Sequence, residues 1–206
     1  MNNPVQNQYN QLAKFYDSRW KDYLHNTLTF LKDWSNISPE ETVLDIACGT
    51  GEFEKLILNE SPTQHIVGID FSEKMLEIAK DKCKNYSQVS FQVKSADNLP
   101  FADSSFDVII CASSFHYFDH PSAVLEEMRR VLKPNGKVII LDWCKDFLFC
   151  QILDIFLKIF DPAHQQCYTQ KEFHDFLKNA NFVISRSSTM RFGLSWGLMV
   201  ATCNKN

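Results

Sequence analysis

Residues 43–54 read VLDIACGTGEFE. The apolar run over residues 42–47 predicts a buried strand, and the apolar spacing after the glycines predicts a helix. In an open parallel sheet, ligands bind beyond the carboxyl ends of the strands, where glycines let the backbone approach them closely. We therefore predict a ligand-binding turn, although a glycine turn can also be no more than a stable loop. The candidate binding residues of this turn are Asp45, Ala47, Gly49 and Gly51.

The alternation of strand and helix continues along the chain. Ser72 is a candidate N-cap, Pro121 takes the favoured first position of a later helix, and the Pro-Asn-Gly of residues 134–136 is predicted to close that helix. Residues 182–190 and 195–202 follow each other directly and predict an antiparallel hairpin. The predicted fold class is α/β: a Rossmann-like open sheet of about seven strands, mostly parallel with a C-terminal antiparallel hairpin strand, and helices on both faces. The other predicted strands are residues 65–70, 89–93, 106–112 and 137–143.

Length and composition bound the function. The 206 residues, 45% hydrophobic and 22% charged, predict a single globular domain spanning 1–206. The formal net charge of −4 and the lack of a basic run argue against a nucleic-acid partner. Apolar runs are shorter than the ~18 residues of a membrane span, and the polar N-terminus does not read as a signal peptide. Seven cysteines without a Cys-x-x-Cys pair indicate reduced thiols, so we predict a cytoplasmic protein with no transmembrane segment and no metal.

The glycine turn also discriminates between cofactors. A dinucleotide fingerprint, Gly-x-Gly-x-x-Gly, seats a pyrophosphate on a helix N-terminus. Here Ala47 stands at the first glycine position, and Glu52 would repel a pyrophosphate. Asp45 adds a second carboxylate, and Asp70 ends the next strand, where an acid can accept hydrogen bonds from a ribose diol. We infer a cationic nucleoside ligand; an NAD-dependent oxidoreductase and a non-catalytic nucleoside-binding protein remain alternatives.

Four segments together resemble the class I S-adenosylmethionine-dependent methyltransferases. The resemblance is greatest to the small-molecule group that includes the ubiquinone/menaquinone-biosynthesis methyltransferases. The segments are VLDIACGTGEFE (43–54), IVGIDFSEKMLEIAK (66–80), SADNLPFADSSFDVIIC (95–111) and VLKPNGKVIILDW (131–143). They follow one another in the family's order, which implies that residues 42–143 form the cofactor-binding core. The implied cofactor is S-adenosyl-L-methionine, and the implied activity is methyl transfer.

The resemblance also implies which residues hold the cofactor. They are Ala47, Gly49 and Gly51 at the methionine portion and ribose, Asp70 at the ribose hydroxyls, Phe71, Met75, Ala96, Asp97 and Asn98 around the adenine, and Ser113 and Ser114 at the methionine end. Two other interpretations stay open. Met75 also suits a core position, and Asp97 with Asn98 also suits a plain turn after a strand.

Both ends of the chain bear on the methyl acceptor. Phe15-Tyr16-Asp17 resembles the Tyr-Asp element with which the leading helices of relatives cover the cofactor, so residues 1–41 are predicted to form a helical lid, or simply to pack on the sheet. Residues 144–206 are predicted to supply substrate-side helices and the hairpin. The aromatic N-terminus and the apolar helix at 147–160 favour a small apolar or aromatic acceptor, methylated at carbon, oxygen or nitrogen in cofactor or specialised-metabolite biosynthesis. That helix is equally a candidate homodimer contact or membrane-surface face.

Methyl transfer needs positioning and sometimes a base. His116, just after the fourth strand, and Tyr16, in the predicted lid, are the candidate catalytic residues, while a loop-capping role suits His116 equally well. His120 precedes Pro121, which argues against a helix that carries a two-histidine metal site. No partner for His164 is evident from the sequence.

Overall fold

The computed structural model describes residues 4–161, 164–192 and 196–206. Within these ranges a seven-stranded sheet is surrounded by seven α-helices and one short 3₁₀ turn. The helices are α1 Pro4–Arg19, α2 Lys21–Ser35, α3 Glu52–Glu60, α4 Glu73–Lys82, α5 Pro121–Val131, α6 Leu148–Phe160 and α7 Gln170–Asn179. The strands are β1 Val43–Ile46, β2 Ile66–Asp70, β3 Val89–Val93, β4 Phe106–Ala112, β5 Leu132–Trp143, β6 Phe182–Phe192 and β7 Trp196–Lys205.

The sheet has the strand order β3-β2-β1-β4-β5-β7-β6. Strands β1 to β5 pair in parallel, whereas β7 pairs antiparallel with both β5 and β6. The predicted sheet, with its C-terminal antiparallel hairpin, is therefore confirmed. The chain order reverses between β1 and β4, and such a switch point opens a crevice at the carboxyl ends of parallel strands. The glycine turn lies at that crevice.

Alternating side chains of β1 supply two separate cores. Leu44 packs in the cluster that also holds Leu125 of α5 and Phe173 of α7, and all three are fully buried. Its neighbour Val43 packs in the opposite cluster, with Leu31 of α2. Adjacent residues of a strand point to opposite faces, so the sheet carries helices on both sides, as predicted.

Strand β5 begins earlier than the sequence indicated. The prediction started it at residue 137 and read residues 134–136 as the turn that closes α5, whereas the structure runs β5 from Leu132. In the β4–β5 ladder, Phe106 pairs with Leu132 and the next pair is Val108 with Lys137. Two residues of β4 therefore span the same distance as five residues of β5. The Pro-Asn-Gly segment is thus a bulge inside a strand, where proline and glycine are tolerated because ladder bonds are interrupted. The predicted start of the last strand, Ser195, lies outside the described residues.

Helix α6 turns one strongly apolar face outward. Its side chains Cys150 and Asp154 are buried, while the opposite side is open. The exposed apolar residues of α6 are Leu148, Phe149, Ile152, Ile155, Phe156, Ile159 and Phe160. In the part of the chain that the structure describes, no helix has both the length and the apolarity to cross a membrane. The homodimer contact through this helix stays a prediction.

Candidate active site

The glycine turn adopts left-handed backbone at three positions. Ala47, Gly49 and Gly51 have φ of 59°, 57° and 76°. At Gly51 the backbone also packs closely, since a Cβ there would lie 2.9 Å from Cβ of Ala79 on α4. At Gly49 a Cβ would meet nothing within 4 Å. Gly51 therefore joins the turn to α4, while Gly49 leaves open space beside the cavity.

Gly51→Ala should lower the free energy of unfolding by about 2–5 kcal/mol. Left-handed backbone costs a residue with a Cβ roughly 1–2 kcal/mol, and the overlap with Ala79 adds about 1–3 kcal/mol. Gly49→Ala is the matched control, because it has similar φ without the overlap and should lose only about 1–2 kcal/mol. Urea denaturation of both variants measures the difference. Equal losses would show that the contact with Ala79 is unimportant.

Asp70, at the end of β2, ties the turn to the next helix. Its Oδ2 accepts the amide hydrogen of Gly49 at 2.9 Å, and its Oδ1 accepts that of Ser72 at 2.8 Å. Ser72 in turn caps α4 by accepting the amide of Met75 at 3.1 Å, as predicted for an N-cap. Burial raises the pKa of Asp70, and the amide hydrogen bonds oppose that rise. Each carboxylate oxygen keeps a lone pair that can accept a further hydrogen bond.

Most of the predicted site residues line one cavity at the switch point. They are Tyr16, Asp45, Ala47, Gly49, Asp70, Phe71, Met75, Ala96, Asp97, Ser113 and Ser114. Three predicted residues lie elsewhere. Gly51 supports the turn from behind, Asn98 borders an adjoining depression beside Phe71, and His116 is buried below the cavity floor.

Three polar side chains fasten helix α1 over the cavity. Asp17 accepts hydrogen bonds from Thr50 Oγ1 at 2.5 Å and from Lys82 Nζ at 2.7 Å. Asn10 Oδ1 accepts a hydrogen bond from the Ser72 hydroxyl at 2.7 Å. The side-chain amide of Gln6 donates one to the Phe71 carbonyl oxygen at 2.9 Å. The sequence pointed to Asp17 but not to the other two. The spacing of residues 6, 10 and 17 could have indicated the other two, because side chains at this spacing lie on one face of a helix.

A group of aromatic side chains from α1 and the segment after β4 lines the cavity. The ring of Tyr9 contacts those of Tyr16 and Tyr117, and the ring centroids of Tyr9 and Tyr117 lie 5.6 Å apart at 88°. Phe118 and the exposed His120 complete this group. Burial raises the pKa of Tyr16 well above its ordinary value, and it raises that of Tyr117 to about 12. Both hydroxyls are therefore neutral hydrogen-bond donors near pH 7.

His116 belongs to a buried chain of contacts beneath the floor. Its Nδ1 lies 2.6 Å from Asp142 Oδ1, and its ring stacks on Trp143 with centroids 4.4 Å apart. The Trp143 indole donates to the Tyr23 hydroxyl at 2.9 Å, and that hydroxyl lies 2.7 Å from Ser113 Oγ at the cavity wall. In this arrangement His116 reaches the cavity only through its neighbours.

Sequence reasoning missed the surroundings of His164. Its Nε2 lies 2.9 Å from Oδ1 of Asp154, which also accepts the amide of Cys167 at 2.7 Å. Ligand-type atoms of these three buried residues lie within 4.8 Å of one another. However, Oδ2 of Asp154 already contacts Lys145 and Lys158 at 3.0 Å each. The two ammonium groups supply the positive charge that a cation would bring, so the geometry describes an ion-pair cluster.

The cavity fits a cationic nucleoside. Asp45 is 2% exposed, and its Oδ1 has no hydrogen-bond partner among the described residues. Glu52 also lines the cavity, although Lys82 pairs with it. A buried carboxylate without a donor suits an ammonium or sulfonium group and disfavours a pyrophosphate, because like charges would be forced together in a medium of low dielectric.

Comparison with known proteins agrees with this chemistry. A family model for a methyltransferase domain matches residues 37–185. A demethylmenaquinone methyltransferase of Leptospira interrogans is 34% identical over 174 residues, covering 73% of this chain and 69% of the relative. A second one, from Thermotoga maritima, is 39% identical over 134 residues, covering 65% and 54%. Among solved structures, a methyltransferase in complex with the Haloferax volcanii Trm112 activator covers 95% of this chain and 96% of its own, with a TM-score of 0.84 and 17% identity, which shows the fold alone.

The fold and the family match define a Rossmann-like enzyme that uses S-adenosyl-L-methionine. The chain belongs to the S-adenosylmethionine-dependent methyltransferase family. The match favours the methyl donor over the NAD alternative, in line with the unpaired carboxylate beneath the turn.

Proposed function

We propose that this methyltransferase acts on a small, largely apolar, ring-bearing acceptor of the quinone-precursor type. The observation that carries the proposal is the aromatic side of the cavity, where Tyr9, Tyr16, Tyr117 and Phe118 face the cofactor-binding carboxylates. Aromatic walls with few polar groups select flat apolar ligands. The names of the relatives, demethylmenaquinone methyltransferases, support a quinone ring. A cytoplasmic location stays a prediction.

In this proposal the cofactor is held by residues of the glycine turn and of the strand ends. S-adenosyl-L-methionine, when bound, supplies an electrophilic methyl on a sulfonium. Asp70 accepts hydrogen bonds from the ribose hydroxyls, and Asp97 accepts one from the adenine amino group. Phe71 and Met75 flank the adenine ring. The backbone of Ala47 and Gly49 approaches the methionine portion, with Ser113 and Ser114 at its end. Fixing the donor in this way leaves the enzyme mainly to position the acceptor.

Tyr16 is the proposed orienting group for the acceptor. It faces the cavity from α1, and its raised pKa keeps it protonated, so it donates a hydrogen bond and does not act as a base. His116 stays a candidate base, but it meets Trp143 by ring stacking and its Nε2 has no hydrogen-bond partner among the described residues, so a base role requires that the segment move. A quinol acceptor with an acidic ring hydroxyl would reduce the need for such a base.

Tyr16→Phe should reduce turnover about tenfold while cofactor affinity stays unchanged. The substitution removes one hydroxyl from the acceptor side, and the tenfold loss corresponds to about 1.4 kcal/mol, the upper end of what such a hydrogen bond contributes. The measurement is a kcat and KM determination together with calorimetry of S-adenosylhomocysteine. Tyr86→Phe is the matched control, because the Tyr86 hydroxyl donates to Asn59 outside the cavity. Wild-type turnover in Tyr16→Phe would remove Tyr16 from the acceptor site.

An acceptor panel tests the proposed function as a whole. Methyl-labelled cofactor is incubated with reduced naphthoquinones and benzoquinones, with catecholic phenols, and with small amines and peptides, and the products are identified by mass spectrometry. We expect label in a ring-bearing acceptor, and the modified atom decides between carbon and oxygen methylation. Label only in amines or peptides would refute the quinone-type acceptor without touching the family assignment.

A further inference from the structure

Two carboxyl groups beneath the glycine turn are buried without a cationic partner. Asp45 on β1 is 2% exposed and Glu54 on α3 is fully buried. Within the described ranges, Oδ1 of Asp45 and both carboxyl oxygens of Glu54 lack a well-aligned hydrogen-bond partner, and the groups that approach Glu54 are the weakly donating Cys48 thiol and its own backbone amide. Two ionised carboxylates in this setting would each lose hydration worth several kcal/mol and would also repel each other. Something must neutralise one of them.

The groups around Glu54 offer no free cation. Asp45 and Asp70 face it from β1 and β2, the Cys48 thiol from the turn, and Lys82 and Cys83 from α4. Lys82 is already paired with Asp17 and Glu52. The Glu54 carboxyl instead fills the space left by a glycine, since a Cβ on Gly68 would lie 2.7 Å from Glu54 Oε1 and 2.9 Å from Cys48 Sγ.

We propose that Glu54 carries a proton and shares it with Asp45, so that the pair bears a single negative charge and Asp45 presents that charge to the cationic end of the cofactor. A proton shared between two carboxyls gives the unpaired oxygens of both a partner. Asp45 lines the cavity and Glu54 does not, so Asp45 is the carboxyl that meets the ligand. Glu54 is thus a positioning residue that acts through Asp45.

The proton is held weakly enough to be released. Burial raises the pKa of Glu54 to about 7. Burial raises the pKa of Asp45 well above its ordinary value, and the nearby charges of Glu54 and Asp70 raise it further. The two carboxyls of the free protein therefore hold one proton between them, and an arriving cation draws the single negative charge onto Asp45. A cation placed beside Asp45 favours the fully ionised pair, so binding of S-adenosylmethionine should drive part of the proton into solvent. S-adenosylhomocysteine lacks the sulfonium charge and should release less.

Linkage gives the sign of the pH effect. If the bound state holds fewer protons than the free state, affinity increases with pH until the free pair has ionised. Wild-type affinity for S-adenosylmethionine should therefore rise by about 3- to 10-fold more between pH 6 and pH 8 than that of a protein unable to release the proton. The ligand's own amino group also titrates in this range, and it is common to both proteins, as is the cavity residue His120.

Glu54→Gln tests the inference, because the amide donates permanently to Asp45 and cannot ionise. Calorimetry in two buffers of different ionisation heat, repeated from pH 6 to pH 8, counts the protons released by wild type and variant. We expect fewer released protons and a flatter affinity profile in Glu54→Gln, with fluorescence or circular dichroism confirming the fold. Glu77→Gln, at an exposed position on α4, is the matched control and should follow wild type.

The outcomes separate this inference from the function on which it rests. Identical proton counts and pH profiles in wild type and Glu54→Gln would overturn the shared proton while leaving the methyl donor in place. If Glu54→Gln does not fold, the wild type decides alone: equal proton release with S-adenosylmethionine and S-adenosylhomocysteine would overturn the inference. Failure of the wild type to bind either nucleoside at any pH would instead refute the cofactor.

Discussion

Asp154→Ala should lower the free energy of unfolding by about 3–5 kcal/mol, the usual loss when one partner of a buried ion pair is removed. The carboxylate is 1% exposed and contacts Lys145, Lys158, His164 and the amide of Cys167. Its removal leaves two ammonium groups facing each other and a buried amide without an acceptor. It also detaches α6 from the segment that follows it. Chemical denaturation at neutral pH measures the loss.

A matched control and the pH dependence make this prediction specific. Asp175→Ala removes an exposed i,i+4 pair with Lys171 and should change stability by less than about 0.5 kcal/mol. Burial alone would raise the pKa of Asp154, but hydrogen bonds from the Cys167 amide, His164 and the lysines outweigh burial and hold it well below its usual range. Because the pKa of Asp154 is lower in the folded protein than in the unfolded chain, its ionised carboxylate stabilises the fold fully at pH values above about 3.9, the pKa in the unfolded chain. This stabilisation is lost as the pH falls through the pKa of Asp154 in the folded protein. The difference between wild type and Asp154→Ala should be constant from pH 7 to 8 and shrink below pH 4. Between these limits His164, whose pKa Asp154 raises against the effect of burial, also contributes to it.

Local signals accounted for most of the fold. Continuous apolar runs predicted β1 and β4, and the N-cap at Ser72 and Pro121 placed the starts of α4 and α5 correctly. The start of β5 was wrong, because the prediction treated a Pro-Gly segment as punctuation between elements. Whether such a segment is a turn or a bulge depends on the neighbouring strand, and the register of β4 is not visible in the sequence.

The site was predictable in its outline but not in its electrostatics. Strand-end positions of Asp45, Asp70 and Ser113 follow from topology, since carboxyl ends of parallel strands share one edge. Glu54 gave no signal, because it sits in the first turn of α3, where a glutamate is common and usually faces solvent. Its burial depends on Gly68 leaving space on β2. The partners of His116 and His164 are likewise long-range contacts that no local pattern encodes.

Asp70→Ala should weaken binding of S-adenosylhomocysteine about 10- to 100-fold. The proposed ribose contacts account for part of this, because hydrogen bonds to a charged group contribute about 1.5–3 kcal/mol. The structure adds a second cause. The same carboxylate accepts hydrogen bonds from the amides of Gly49 and Ser72. Its loss therefore also frees the glycine turn, which is proposed to approach the methionine portion of the cofactor. Calorimetry of wild type and variant at the same pH gives the ratio of dissociation constants.

Two further variants separate the causes. In Asp70→Asn the side-chain oxygen can still accept one amide hydrogen, so the turn is partly retained while one ribose acceptor is lost, and an intermediate affinity is expected. Asp81→Ala, which removes an exposed carboxylate paired only with Lys84, should bind as wild type does. Unchanged affinity in Asp70→Ala would mean that the ribose lies elsewhere. Weaker binding of the nucleoside with unchanged binding of free methionine would place the loss at the ribose, because the turn would then still be intact.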